Sequence, residues 1–221
     1  ADPPTVYSEM LPSEYSRDSL LKPKKFTHYS MGLYVLFFGS KKKFSDVAHH
    51  TIWMSERYKE LLHDIFEKKI LTEDFSLYLH RPTATDDTFA PEGCDSFYVL
   101  CPVPNLQGNV QWNSEGPKLK DRIVEALDKT IMPGLKENIE AEFWMTPEDF
   151  KNDYRSKYGA GFSVAPIFSQ SAWFRYHNKD KKIPNLYFSA AGSHPGAGIP
   201  GVLCSAKVIE KLIIKDFKVS H

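Results

Sequence analysis

Gly196, Gly198 and Gly201 stand in the spacing G-x-G-x-x-G, with His194 just before them and Pro200 inside the pattern. The residues around them, 184–207, read as a short buried strand (Leu186 to Ala190), a turn with glycines at 192, 196, 198 and 201, and a helix. Pro200 marks the helix start, because a proline in the first turn gives up an N–H that has no partner there. Gly201, Ser205 and Ala206 keep the first turns slim. A helix N-terminus offers backbone N–H groups and a partial positive charge, which suits a phosphate or the electron-rich carbonyl edge of a cofactor ring. A dinucleotide-binding loop would also need a following strand with an acidic residue about 20 positions on. Here the helix takes up nearly all the remaining chain. The turn is therefore expected to contact a cofactor without being the primary pyrophosphate loop.

Other reactive constellations fare less well. His49-His50 with His63 or His80 could ligate a metal, but no H-E-x-x-H or C-x-x-C accompanies them, and no metal is expected. There is no G-x-S-x-G elbow and no cysteine beside a recognisable histidine partner. Asp86-Asp87 reads as loop, and Glu148-Asp149 as the first turn of a helix. Arg175 stands among Trp173, Phe174 and Tyr176, where it can stack on a ring or pair with a carboxylate. His194 and Arg175 are the two side chains placed to meet a ligand, and no catalytic acid or base is assigned.

The elements that must position these residues are mixed. Residues 3–11 read as a short helix, followed by a polar linker through Lys22–Lys25. Tyr29 to Gly39 is the strongest strand, apolar on both faces from Leu33 onward. Lys41–Lys43 make a basic, solvated turn, and 49–53 a further strand. Ser55 reads as the N-cap of a helix carrying Tyr58, Leu61, Leu62, Ile65 and Phe66. Phe75–Leu79 and Ser96–Val103 are strands either side of a polar loop. Ser114 opens the longest central helix, with Leu119, Ile123, Leu127 and Ile131 on one face and Pro133-Gly134 ending it. Glu140–Met145 is a strand, and Thr146-Pro147-Glu148-Asp149 a helix start. Tyr158–Pro166 is a small-residue loop, and no repeat is visible. The fold class is α/β in the mixed α+β sense.

Composition limits the partners. The 221 residues carry zero formal net charge, so nothing draws the chain to nucleic acid. The aromatic share is 14%, which suits a pocket for a large apolar ligand. Three cysteines at unrelated spacings point away from a disulfide framework and toward a reducing compartment. No window approaches the roughly 18 apolar residues of a spanning helix. The polar opening, Ala-Asp-Pro-Pro without a methionine, reads as a cut rather than a natural start.

Asn185-Leu186-Tyr187 and His194-Pro195-Gly196-Ala197-Gly198-Ile199-Pro200-Gly201-Val202, with Ser205-Ala206-Lys207, closely resemble the C-terminal signature of bacterial and fungal phytoene desaturases. Further blocks follow in that family's order: Phe75–His80, Ala90–Cys94 with Tyr98–Leu100, Glu115–Leu119, Met132–Leu135 and Gln170–Arg175. The resemblance implies a C-terminal portion of an FAD-dependent carotenoid desaturase with an amine-oxidase-like flavin domain. It implies that 1–22 end the FAD-binding domain and linker, that 23–168 form the substrate domain, and that 169–221 return to the flavin domain. The missing N-terminal half of the same enzyme would hold the pyrophosphate loop, so the fragment alone is expected to be inactive. Flavin contacts carry over to Ala191, Gly192, His194, Gly198, Ile199, Gly201 and Val202, mostly through backbone.

The implied substrate is phytoene or a related apolar carotenoid, desaturated toward neurosporene or lycopene, with the enzyme cytoplasmic and held peripherally at a membrane surface. A diapophytoene desaturase or carotene isomerase is the nearest alternative, and a non-enzymatic lipid-binding fragment the other. Ser189-Ala190, Ser193 and Cys204 depart from the family's usual Val-Gly, Thr and Gly, and Cys204 is expected to crowd the helix packing. Ala191 stands where amine-oxidase relatives place an Asp against the ribityl chain.

Overall fold

Residues 33–38, Leu-Tyr-Val-Leu-Phe-Phe, have no polar side to offer solvent, and in the computed structural model they lie inside a central strand. The structure describes residues 1–15 and 27–217. The strands are β1 (Gly32–Ser40), β2 (His50–Trp53), β3 (Leu77–His80), β4 (Asp95–Val103) and β5 (Ile139–Met145). They form one sheet in the order β2-β3-β4-β1-β5, and every neighbouring pair runs antiparallel.

The helices are α1 (Pro3–Thr5), α2 (Tyr58–His63), α3 (Trp112–Lys129), α4 (Leu135–Asn138), α5 (Pro147–Tyr154) and α6 (Ile199–Phe217). The mixed α+β class expected from the sequence holds. The chain divides into two compact units, 32–149 and the two flanks 1–31 with 150–221. The expected linker at Lys22–Lys25, and with it the boundary after residue 22, lies outside the described residues.

In the 32–149 unit, β4 alternates strictly between buried and half-buried residues. Its inward side, Phe97, Val99, Cys101 and Val103, joins Tyr34, Leu36 and Phe38 of β1 in the core. Against this face lies the apolar stripe of α3, where Leu119, Ile123 and Leu127 are fully buried. That stripe follows the expected spacing. Ile131 falls beyond the helix end and is exposed, and Met132 and Leu135 take over the core contact instead. The helix also starts earlier than Ser114, because Trp112 is buried in the core and its ring stacks on Tyr34. The Tyr34 hydroxyl donates to the carbonyl of Gly116 at 2.9 Å. Gly116 also packs closely on the next layer, where a Cβ would meet the Trp144 indole nitrogen at 3.3 Å.

Ser55 does not cap α2 directly, because the helix begins at Tyr58 after Arg57. Its hydroxyl instead accepts from the Arg57 amide and donates to Asp74. Thr146 does cap α5, accepting from the Glu148 amide, while Asp149 accepts from the Thr146 amide and hydroxyl.

In the other unit, residues 186–190 form no regular strand. Tyr187 and Ser193 make only single bridges, to Lys179 and Tyr176. Backbone pairing with 178–180 is limited to the Asp180 amide on the Leu186 carbonyl and the Phe188 amide on the Asn178 carbonyl, and the Asn178 side-chain amide takes the Phe188 carbonyl at 3.0 Å.

Candidate functional site

The glycine turn is held from behind by a buried polar cluster. Asn178, Ser193 and Ser205 are all buried. The Asn178 side-chain amide reaches the carbonyl of His194 and the Ser205 hydroxyl, both at 2.8 Å. Ser193 Oγ and Ser205 Oγ share a hydrogen bond at 3.0 Å. Ser205 belongs to α6, so this cluster fixes the helix start against the turn. The turn crosses the helix closely: a Cβ on Gly201 would lie 2.6 Å from the Gly196 carbonyl oxygen. Gly198, at φ +89°, accepts the Val202 amide at 2.9 Å and opens the first turn of α6. The amides of Ile199 and Gly201 have no partner within the helix, and Pro200 has no amide.

Arg175 is buried and closes the other side. Its guanidinium donates to the carbonyls of Ala191 (3.0 Å), Phe162 (2.9 Å) and Gln170 (3.3 Å). Burial pushes its pKa down from the ordinary arginine value. Among the described residues, neither an aromatic stack nor a carboxylate holds it. The guanidinium clamps loop backbone, and its side chain also lines a cavity of about 390 Å³ with Phe162, Pro195, Gly196 and Gly198.

The expected flavin contacts separate into groups. Gly198 lines the cavity, and Ile199, Gly201 and Val202 follow in the first turn of α6. Ile199 is 79% exposed. Ala191 turns its carbonyl to Arg175. Gly192 sits away from the cavity, where a Cβ would meet Ser163 Oγ at 2.6 Å and Pro3 Cδ at 2.7 Å. His194 packs edge-on against Trp173, and its Nδ1 is buried with no hydrogen-bond partner. Sequence reasoning missed the Asn178–Ser193–Ser205 cluster, because nothing at the sequence level joins positions so far apart.

A second feature belongs to the 32–149 unit. The sheet face opposite α3 carries a run of rings. Phe37 stacks on Phe143 with centroids 4.5 Å apart, and it also meets Tyr98, which contacts Tyr78 and His80. Phe143 is 58% exposed. Burial, helped by a hydrogen bond with Tyr78, pushes the Tyr98 phenol up to about 12. Beside these rings lies a cavity of about 460 Å³, walled by Phe37, Phe89, Phe97 and Tyr98 with His49 and His80 at its edge. Burial and the neighbouring His49 and His50 hold the His80 pKa below the usual imidazole value.

No family model matches the chain. The chain is 46% identical over 220 residues to the lycopene-forming phytoene desaturase of Pantoea ananas, across 98% of this chain and 44% of that protein. The chain is a homologue of the phytoene desaturases. A neurosporene-forming phytoene desaturase of Rhodobacter capsulatus is 47% identical over 190 residues, covering 84% of this chain and 36% of that protein. A 4,4'-diapophytoene desaturase of Methylomonas is more distant, 33% identical over 211 residues, 90% of this chain and 41% of its own length. The chain thus spans less than half the length of the curated relatives it matches.

For this phytoene desaturase homologue, Cys204 is exposed, so the expected crowding of the α6 packing does not occur. The start of α6 fits the electron-rich edge of a flavin ring: its first amides have no partner within the helix, and no acidic side chain lines the adjoining cavity.

Proposed function

We propose that the whole protein carrying this chain is an FAD-dependent phytoene desaturase of the lycopene- or neurosporene-forming kind. The observation that carries this reading is the 46% identity extending over 98% of the chain to an enzyme of that name. FAD, when bound, would supply the acceptor for a hydride taken from a C–H bond, while the adjacent carbon gives up a proton and the C–C bond between them becomes double. The amides at the start of α6, with Gly198 and His194, would hold the carbonyl edge of its ring, where the helix dipole favours the negative charge of the reduced form. Residues 191–202 belong to the unit formed by the two flanks, and this unit takes the flavin share of the work. The pyrophosphate would be bound by residues outside this chain.

The unit 32–149 would take the substrate. Phytoene is an uncharged C40 hydrocarbon, which asks for contact area and no charged anchor. The Phe37, Phe143 and Tyr98 face offers such area, and burying a hydrocarbon there is favourable by about 25 cal/mol per Å². A substrate that dissolves in bilayers places the enzyme at a membrane surface, on its cytoplasmic side. Among the described residues, no helix is long and apolar enough to cross a membrane.

The test uses the whole protein with FAD and phytoene-loaded liposomes. New polyene absorption bands are expected, and their absence under conditions where the protein holds FAD overturns the reading. The 33% identity to the Methylomonas enzyme favours a C30 diapophytoene desaturase as second reading. Competition between C30 and C40 substrates in the same liposomes separates the two.

A further inference from the structure

The sheet brings together three histidines beside the aromatic face, where His80 meets the Tyr98 ring. His50 in β2 and His80 in β3 are direct cross-strand partners, so their side chains share a face. Their rings lie parallel within 15°, with centroids 5.3 Å apart. His49 immediately precedes β2, and its carbonyl still accepts the Arg81 amide at 2.9 Å. An uninterrupted strand would send His49 to the opposite face. Here the chain bends at the strand start, and the His49 ring comes within 4.4 Å of the His50 ring and 4.8 Å of the His80 ring.

The ring nitrogens come close to one another. His49 Nε2 and His80 Nε2 face each other at 2.9 Å. One nitrogen from each of the three rings lies within 4.8 Å of those of the other two. The outward nitrogens of two rings are held by hydroxyls: His49 Nδ1 by Thr85 Oγ1 at 2.5 Å, and His50 Nδ1 by the Tyr78 hydroxyl at 2.7 Å. Outer hydrogen bonds of this kind fix tautomer and ring angle at metal-binding histidines. The remaining nitrogen, His80 Nδ1, is buried without a partner.

We propose that His49, His50 and His80 form a three-imidazole site for a borderline divalent cation of the zinc class, with the fourth position open toward the neighbouring aromatic-walled cavity. Imidazole donors select zinc, copper or nickel over calcium and magnesium. Three protein ligands plus one exchangeable position is the arrangement of open zinc sites. A tetrahedral ion with bonds of about 2.0–2.1 Å needs nitrogens roughly 3.4 Å apart. The His49–His80 pair is slightly closer than that. His50, exposed on the outermost strand of the sheet, has room to swing inward. Asp86 and Thr85 also line the cavity and would border a water or small anion in the open position. His63, which sequence reading considered beside this group, lies on α2 outside it. Nothing here depends on the desaturase reading.

The experiment strips the whole protein with chelator and titrates Zn²⁺ calorimetrically. Co²⁺ then serves as the optical probe. One equivalent per chain is expected, with visible d–d bands of four-coordinate cobalt that zinc abolishes. Replacing a direct ligand, in His49→Ala or His80→Ala, should weaken binding about 100-fold or more, and Tyr78→Phe about 10-fold through loss of the outer hydrogen bond. His63→Ala should leave binding unchanged. X-ray absorption on the zinc-loaded wild type, which needs no variant to fold, should count three imidazole nitrogens. Absence of a saturable equivalent in the wild type, a count of one imidazole or none, or equal binding by a folded His80→Ala variant would each overturn the site.

Discussion

Arg175 illustrates how a buried charge can be held without an opposite charge. Its fork reaches three backbone carbonyls from separate loop segments, 162, 170 and 191. A lysine has the charge but no planar fork, and so cannot reach all three. We expect Arg175→Lys to destabilise the protein by about 2–3 kcal/mol, since it leaves buried carbonyls without donors. Urea denaturation measures this, and a loss below about 0.5 kcal/mol would mean water replaces the clamp. Asp95 shows the paired solution. It accepts from Arg81, Thr83 and the Phe44 amide, all in the core of the other unit. Arg175 was legible as a residue of consequence from its aromatic setting. Its partners were not, because a carbonyl acceptor leaves no mark in a sequence.

At the scale of the element, the start of α6 depends on which glycines are free and which are crowded. Gly198 has φ +89° and nothing within 4 Å of where a Cβ would sit. Gly201 has a helical setting but a backbone oxygen at 2.6 Å. Alanine is favoured over glycine in a helix by up to about 1 kcal/mol, so propensity alone would make Gly201→Ala stabilising. The contact is with backbone of the turn, which cannot rotate away, and it outweighs that gain. Gly201→Ala is expected to lower the melting temperature by several degrees, more than Gly198→Ala, whose cost is about 1–2 kcal/mol of backbone strain. A more stable Gly201→Ala protein would show that the turn yields.

The helix itself was legible from Pro200 and the small residues after it. The strand before it was misread, because Leu186–Ala190 has the right residue types but satisfies its backbone through Asn178 and Ser193. The three histidines were named together in the sequence, with His63, and set aside for want of a zinc motif, for a related reason. Their grouping depends on strand register and on a bend at the start of β2, and neither is written in residue spacing.

At the scale of the molecule, one unit is a continuous stretch, 32–149, while the other is assembled from both flanks of the chain. The second must therefore be closed by contacts of very long sequence separation, and several of them are carboxylates. Glu9 pairs with Lys157 at 2.6 Å, which holds its pKa below the ordinary glutamate value. Tyr7, packed against Tyr176 and Phe188, donates its hydroxyl to Asp180 at 2.5 Å. Burial works to raise the Asp180 pKa, but the hydrogen bonds from Tyr7 and the amides of Ile183 and Lys182 prevail, and it lies below the usual aspartate value. A carboxyl whose folded pKa is depressed contributes stability above its unfolded pKa, near pH 4, and loses it as pH falls through the folded value. The 1–10 segment should thus loosen below about pH 4, which hydrogen exchange at the amides of Val6–Leu11 would detect. Tyr7→Phe removes the main side-chain donor, so the Asp180 pKa moves back up. That variant should lose about 1 kcal/mol at pH 7 and begin loosening at a higher pH than the wild type. If both proteins loosen at the same pH, the Tyr7–Asp180 contact is not part of the closure between the flanks.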